Sequence, residues 1–297
     1  MKKLASLTLA LTALLALSGC SPVQANRWQA GNGPIKIVAS TNVWGSVANL
    51  VAGDLATVDA IIYNVNQDPH SYELTARDQL LINNADIVIM NGGGYDDFMQ
   101  QASDADPTPA ITVNAFMASG DDQTRNEHIW YDVDQIGDVA AVIGAAIEAK
   151  DETSMDAVEK RVSDFREKIS LRKAQLTALR ATPKRVFLTE PLIAYLVEDA
   201  GYQNVTPAEF SNAVEEERDV PPAVLAEVRK LIGSGGVDAI FVNANTQTAQ
   251  TNALLTINIK IPSYQIGELL PQDHETLKYA GDYFELLDSA IRMLEGK

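Results

Sequence analysis

Two of the three histidines in this chain lie in short polar segments that could carry a metal ligand. His70 lies in the segment NQDPHSYE, where Pro69 stiffens the backbone just before it. His128 lies in the segment NEHIWYD. Both segments follow runs of residues that predict β-strands, so we expect both imidazoles beyond a strand end. Tyr72 and Glu73 are interpreted as supports for the loop or partners of the His70 ring, not as ligands.

Two glutamates hold matching positions in the second half of the chain. Glu190 directly follows the run RVFLT, and Glu268 follows YQIG. Ligands of open parallel sheets bind beyond the carboxyl ends of the strands, so we expect all four residues at the same edge of their sheets. Two neutral imidazoles and two carboxylates form a ligand set for a divalent transition metal. Taken singly, each residue type is more often found at the surface or in packing, and it is the shared placement that indicates a metal site.

Other polar features point away from catalysis. His274, in the segment QDHE, is interpreted as a surface residue, and the acidic run Glu215–Glu217 as a solvated loop. Gly92–Gly94 follow a strand but lack the lysine and hydroxyl residue of a phosphate loop, which predicts a tight turn. The Gly-x-Ser-x-Gly sequence of a nucleophile elbow does not occur.

The segments that must position these residues alternate between strand and helix patterns. Strands are predicted at 35–39, 57–63, 87–90, 111–113, 185–189, 237–243 and 261–266, and helices at 43–51, 74–84, 136–149, 191–198, 246–256 and 280–294. This alternation is typical of α/β proteins with parallel sheets. The segment from Asp151 to Ala181 differs, because it has no glycine or proline and its apolar residues recur at helical spacing.

The predicted fold is therefore α/β, with two lobes, each a parallel sheet flanked by helices, joined by one long rigid α-helix. A helix of this length should resist free hinging between the lobes. The predicted boundaries are 1–19 for a lipoprotein signal peptide, 20–34 for a flexible tether, 35–150 for the N-terminal lobe, 151–182 for the linking helix and 183–297 for the C-terminal lobe.

The N-terminus indicates export and lipid attachment. Two lysines precede an apolar stretch that is too short to span a bilayer. The tetrapeptide LSGC that follows is similar to the lipobox of bacterial lipoproteins, and its Cys20 is the single cysteine of the chain, which excludes an internal disulfide. We expect a lipid on Cys20 to anchor the protein to the outer face of the cytoplasmic membrane. The formal net charge of −17 argues against nucleic acid as a partner.

Together these motifs resemble the substrate-binding lipoproteins of bacterial zinc and manganese ABC importers. The resemblance covers nearly the whole mature chain and rests on DPHSYE, on ADIV leading to NGGG, and on EHIWYD. The segments TEP, NANTQT and GELLP look like those of a zinc-importer subgroup from actinobacteria. In that family two α/β lobes are bridged by a rigid helix and the metal is held between them.

The resemblance implies a ligand set and a function. His70 and His128 match the family's two histidine ligands in the N-terminal lobe, and Glu190 falls where members have glutamate or histidine. Glu268 lies near a position where many members have aspartate, but the residues around it in this chain differ from the family's pattern. The implied protein is a non-enzymatic extracytoplasmic receptor that binds Zn²⁺ and passes it to an ABC permease driven by an ATPase. Its soluble part is expected to be monomeric.

Metal identity and two other functional classes stay open at this point. The family also uses two histidines and two carboxylates for Mn²⁺, and the histidine-rich loop of many zinc binders is absent here. An exported metal-dependent hydrolase would need an open coordination position, but no His-Glu-x-x-His occurs. A receptor for a chelated metal or a corrinoid would need a wide cleft lined by aromatic or arginine side chains, and aromatic residues form only 6% of the chain.

Overall fold

The computed structural model describes residues 33–105, 110–120, 125–271 and 281–297. The expected signal peptide with Cys20, and also His274, lie outside these residues. The domain boundaries given above stay predictions.

The first half of the chain forms a parallel sheet of four strands. They are β1 (Ile35–Thr41), β2 (Ala56–Ile62), β3 (Ile87–Met90) and β4 (Ile111–Asn114), in the order β2-β1-β3-β4. All four residues of β3, IVIM, are buried, as a central strand covered on both faces requires. The accompanying helices are α1 (Asn42–Ala52), α2 (Ala76–Asn83), α3 (Asp97–Asp104), α4 (Ala115–Ala118) and α5 (Ile136–Lys150).

A single long helix, α6 (Met155–Leu179), follows the first sheet. Its 25 residues span about 37 Å at the usual rise per residue. The helix begins later than the sequence pattern predicts, because a short 3₁₀ segment, Glu152–Ser154, precedes it and is capped by the Asp151 carboxylate. The buried residues recur at helical spacing and are Val158, Val162, Phe165, Ile169 and Leu176.

The second half of the chain forms another parallel four-stranded sheet. Its strands are β5 (Arg185–Leu188), β6 (Gln203–Asn204), β7 (Ala239–Asn243) and β8 (Ser263–Ile266), in the order β6-β5-β7-β8. Its helices are α7 (Ala194–Asp199), α8 (Ala208–Glu215), α9 (Pro222–Gly233), α10 (Ala249–Leu255) and α11 (Tyr283–Glu295). The predicted α/β architecture of two parallel sheets and one long helix is confirmed.

Within the compact unit Pro34–Lys297, one hydrophobic cluster contains residues of both sheets. Buried residues of α6 pack in the same cluster as Ile37 of the first sheet and Val186 of the second. The segment Gly267–Leu270 is also tied to the first half of the chain. Asn42 donates its amide to the carbonyl of Leu270 at 2.9 Å and accepts the Leu270 N–H at 3.0 Å. The Tyr131 hydroxyl donates to the carbonyl of Gly267 at 2.6 Å.

The sequence patterns missed several short elements. These include α3, α4, β6, α8 and α9, of which α9 begins with a proline at its first position, where the missing N–H costs nothing. Pro207 and Pro221 are residue types that favour loops, but each lies directly before a helix in the structure. Within the described residues, no helix has both the length and the apolar character needed to cross a bilayer.

Candidate metal site

His70 is held in a tight loop by the carboxylate of Asp68. One Asp68 oxygen accepts the backbone N–H of His70 at 2.9 Å and lies 3.0 Å from His70 Nδ1. This contact leaves Nε2 as the nitrogen directed into the site. Burial lowers the pKa of His70, but the carboxylates of Asp68, Glu127 and Glu268 outweigh it and raise the pKa to about 11. Without a metal the ring therefore carries a proton at neutral pH.

His128 is fully buried and its orientation is fixed by Asn126. Asn126 Oδ1 accepts the backbone N–H of His128 at 3.1 Å and lies 2.7 Å from Nδ1. The amide nitrogen of Asn126 donates to the carbonyl of Pro191 at 2.6 Å, so the oxygen must face the ring and Nδ1 carries the proton. Burial lowers the pKa of His128 to about 4, and Nε2 has no hydrogen-bond partner among the described residues. His128 thus presents a bare lone pair, the form that binds metal ions.

Glu190 and Glu268 follow β5 and β8 and are joined by one amide group. The side chain of Asn243, at the end of β7, donates to Glu190 Oε2 at 2.6 Å and to Glu268 Oε2 at 3.0 Å. Glu190 also accepts the hydroxyl of Thr246. Both carboxylates are buried, and burial raises the pKa of Glu190 to about 7 and raises that of Glu268. Each oxygen keeps a second lone pair that a cation could use.

Tyr95 links the two histidines to Glu268. Its ring centroid lies 5.0 Å from that of His70 and 6.0 Å from that of His128, and its hydroxyl donates to Glu268 Oε1 at 2.7 Å. The turn Gly92–Gly94 presents this tyrosine, and all three glycines have positive φ, between 69° and 94°. The predicted tight turn is confirmed, and Asp96 holds it by accepting the N–H groups of Asn91 and Gly92.

One part of the sequence interpretation is wrong. Glu215 is not part of a solvated loop, because it is the last residue of α8 and its side chain is only 12% exposed, whereas Glu216 and Glu217 are exposed in the turn that follows. Glu215 Oε1 lies 3.3 Å from His128 Nε2 and 4.0 Å from His70 Nε2. Burial and the negative charges of Glu127 and Glu190 raise the pKa of Glu215 to about 10. Phe210 and Val214, four residues apart and buried, are the pattern that could have indicated this helix.

Glu127 is a second residue that the sequence patterns missed. Its Oε1 lies 3.7 Å from His70 Nε2. Its pKa falls to about 2 despite burial, because the contact with His70 favours its charged form. Within the described residues, His70, Glu127 and Glu215 are the one group whose potential ligand atoms all lie within 4.8 Å of one another. The predicted ligand set does not form such a group, and its residues are connected through Tyr95 and Asn243. The assignment of His70, His128, Glu190 and Glu268 as ligands therefore stays a prediction.

The site gathers five carboxyl groups around two histidines, from Asp68, Glu127, Glu190, Glu215 and Glu268. The raised pKa of Glu215, about 10, keeps its carboxyl group protonated at neutral pH in the metal-free protein. In the part of the chain that the structure describes, none of the five forms an ion pair with lysine or arginine. The protonated His70 faces Asp68, Glu127 and Glu215, and a divalent cation that replaces its proton would offset more of the negative charge.

The fold is shared with solved metal-binding proteins. A crystal structure of ZnuA superposes with a TM-score of 0.73 at 15% identity, covering 89% of this chain and 99% of that one. The Zn(II)-bound ZnuA-like domain of Streptococcus pneumoniae AdcA superposes with a TM-score of 0.69 at 19% identity, covering 89% and 98%. At these identities the likeness shows the fold alone.

Residues 37–296 match the family described as ZnuA, zinc-uptake complex component A, periplasmic, and the chain belongs to this family. One curated relative is the manganese-binding lipoprotein MntA of Halalkalibacterium halodurans, 25% identical over 247 residues, which are 76% of this chain and 82% of the relative. The resemblance to substrate-binding lipoproteins of zinc and manganese ABC importers is thereby confirmed. The zinc-type subgroup is not decided by these matches and stays a prediction.

Proposed function

We propose that this protein captures Zn²⁺, or alternatively Mn²⁺, outside the cytoplasm and delivers it to an ABC permease driven by an ATPase. The metal is cargo bound by His70, His128, Glu190 and Glu268, and no chemistry is performed on it. A lipid on Cys20 would keep the receptor at the membrane face, beside the permease. Family membership supports the transport role, and the donor set described above supports a divalent transition metal as cargo.

The observation that carries this proposal is the state of His128. A fully buried neutral imidazole whose Nε2 has no hydrogen-bond partner among the described residues would be a cost to the fold if it had no ligand. The carboxyl groups around it disfavour an anionic or apolar ligand. A cation fits both features, since it binds the lone pair of Nε2 and offsets the negative charge.

Binding exchanges protons for metal. His70 holds a proton in the metal-free protein, and the incoming cation takes the place of that proton between Nε2 and the surrounding carboxylates. Tyr95 and Asn243 hold Glu268 in place by donating to its two oxygens. Because α6 packs in a core shared by both sheets, we expect small lobe movements on binding instead of a wide closure.

Zn²⁺ and Mn²⁺ are each supported as cargo by a different argument. Zinc binds nitrogen and carboxylate donors more tightly than manganese in water, whichever ion the cell supplies. The carboxylate-rich surroundings, and the manganese-binding relative from Halalkalibacterium halodurans, support Mn²⁺ as the alternative cargo.

The experiment is metal analysis of the purified mature protein, followed by competitive titration of Zn²⁺ against Mn²⁺. We expect one metal per chain and an affinity loss of at least about 10–100-fold in His70→Ala and Glu268→Ala, the range for losing even an indirect support of a metal site. His274→Ala is the control, a histidine that is not among the proposed ligands, and should bind like the parent. A parent protein that binds neither metal, or a His70→Ala variant that binds like the control, would contradict the proposal.

A further inference from the structure

Every oxygen of the Glu190 and Glu268 carboxyl groups accepts a hydrogen bond. Asn243 donates to Oε2 of Glu190 at 2.6 Å and to Oε2 of Glu268 at 3.0 Å. Oε1 of Glu190 accepts the hydroxyl of Thr246, and Oε1 of Glu268 accepts the hydroxyl of Tyr95 at 2.7 Å. All of these donors are neutral side chains. They fix the orientation of both carboxyl groups before any cation binds.

Tyr95 is a rigid donor. Its side chain is buried, and its ring centroid lies 5.0 Å from that of His70 and 4.9 Å from that of Trp130. Its backbone N–H donates to the carbonyl of Gly92 at 3.3 Å, within the turn that presents the ring. The hydroxyl therefore cannot turn away from Glu268 without disturbing close-packed aromatic neighbours.

The Tyr95 hydroxyl affects how many bonds Glu268 can form with a metal ion. A carboxylate binds an ion through one oxygen or through both, and binding through both requires the two oxygens to face the ion at the same time. The hydroxyl of Tyr95 competes with the ion for Oε1. It also opposes the rotation of the carboxyl group that would turn this oxygen toward the ion.

We propose that Tyr95 is a specificity-determining residue, which favours Zn²⁺ over Mn²⁺ by keeping Oε1 of Glu268 from coordinating the cation. This inference rests on the proposed function and concerns the ion that the site prefers. Four ligands satisfy Zn²⁺, whereas Mn²⁺ prefers an octahedral set rich in oxygen donors. A Glu268 carboxylate that offers one oxygen suits Zn²⁺, and the loss of the Tyr95 hydroxyl would offer Mn²⁺ one more donor.

The test compares Tyr95→Phe with Tyr131→Phe in competitive titrations of the mature protein with Zn²⁺ and Mn²⁺. Tyr131 is a matched control, because its ring is also buried and its hydroxyl donates at 2.6 Å to the carbonyl of Gly267, the residue before Glu268. Both variants keep the aromatic ring and lose one hydrogen bond to the same segment. Only Tyr95→Phe removes a donor from a carboxyl group.

The measured quantity is the ratio of the Mn²⁺ and Zn²⁺ dissociation constants. We expect Tyr95→Phe to lower this ratio by about tenfold, at the lower end of the range for indirect supports of a metal site. Zn²⁺ binding should weaken because Glu268 loses a support, while Mn²⁺ binding should stay the same or tighten because Oε1 becomes available. Tyr131→Phe should leave the ratio unchanged.

Co²⁺ gives an independent measure of coordination, because its visible absorption is intense in tetrahedral complexes and weak in octahedral ones. The Co²⁺ complexes of the parent and of Tyr131→Phe should absorb strongly, and that of Tyr95→Phe should absorb less. A weak octahedral spectrum in the parent would overturn the inference without the need for any variant.

The remaining outcomes separate this inference from the proposed function. If the parent binds metal and Tyr95→Phe weakens the binding of both ions by the same factor, Tyr95 has a structural role only and the proposed function stands. The same conclusion follows if Tyr131→Phe lowers the ratio as much as Tyr95→Phe, or if the two variants have the same Co²⁺ spectrum. If the parent binds neither ion, both proposals fail.

Discussion

Replacing Tyr95 by phenylalanine removes one hydroxyl from the contact between the two halves of the molecule and leaves the ring in place. The hydroxyl donates to Glu268 Oε1 at 2.7 Å, and both side chains are almost completely buried. A hydrogen bond to a charged group contributes about 1.5–3 kcal/mol, and here its loss leaves a buried carboxylate oxygen without that donor. We therefore expect the free energy of unfolding to fall by about 1.5–3 kcal/mol.

The assay is thermal unfolding of the metal-free protein in the presence of a chelator, so that ligand binding does not contribute to stability. For a chain of this size the predicted loss corresponds to a decrease in Tm of about 3–10 °C. Tyr63→Phe is the matched control, because Tyr63 is 43% exposed at the surface and loses a solvated hydroxyl. Its Tm should stay within about 1 °C of the parent, in line with other surface substitutions.

A double-mutant cycle with Glu268→Ala isolates the contact itself. If the hydrogen bond exists, the two substitutions should be non-additive, with a coupling energy of about 1.5 kcal/mol or more. Additivity within about 0.5 kcal/mol, or a Tyr95→Phe variant as stable as Tyr63→Phe, would refute the proposed link between Tyr95 and Glu268.

Metal affinity should rise from pH 6 to pH 9 by up to about tenfold per pH unit, because the raised pKa of His70, about 11, keeps a competing proton on the ring over this range. Competition titrations at each pH should show this slope in the parent and a flatter one in His70→Gln. Asn243→Ala should weaken metal binding by about 10–100-fold in the same titration, because Glu190 and Glu268 lose a shared donor, while the exposed Asn212→Ala should not. Gly93→Ala should lower stability in urea by more than Gly94→Ala, since both have positive φ but only a Cβ at position 93 would lie 2.8 Å from the Phe116 ring. Equal losses for the two glycine variants would show that the Phe116 contact is unimportant.

The alternation of strand and helix patterns was sufficient to predict the architecture, because parallel sheets covered on both faces need continuous apolar strands. The strand β3 shows this most clearly, since its sequence IVIM is entirely buried. The strand patterns also predicted correctly that Glu190 and Glu268 follow the ends of β5 and β8. Tyr72 supports its loop as expected, by donating to Asp78 of α2 at 2.9 Å.

The residues that sequence reasoning missed depend on contacts between distant parts of the chain. Glu215 looked like one of three solvated acids, and only the packing of α8 shows that its side chain lies beside His128. Asn243 and Tyr95 act through hydrogen bonds to residues 25 or more positions away, which no local pattern encodes. The pKa of His70 is another property that the sequence does not show, because a free imidazole titrates near pH 6.5, whereas the carboxylates around His70 raise its pKa to about 11.

The central claim, that a divalent cation binds between the two sheets at His70 and His128, is tested most directly by anomalous diffraction from crystals of the mature protein grown with Mn²⁺ or Zn²⁺. The account predicts one strong anomalous peak per chain, at about 2.0–2.3 Å from Nε2 of both histidines and within coordination distance of the carboxylates of Glu190 and Glu268. A peak bound elsewhere, or one that contacts neither Nε2 atom, would contradict it.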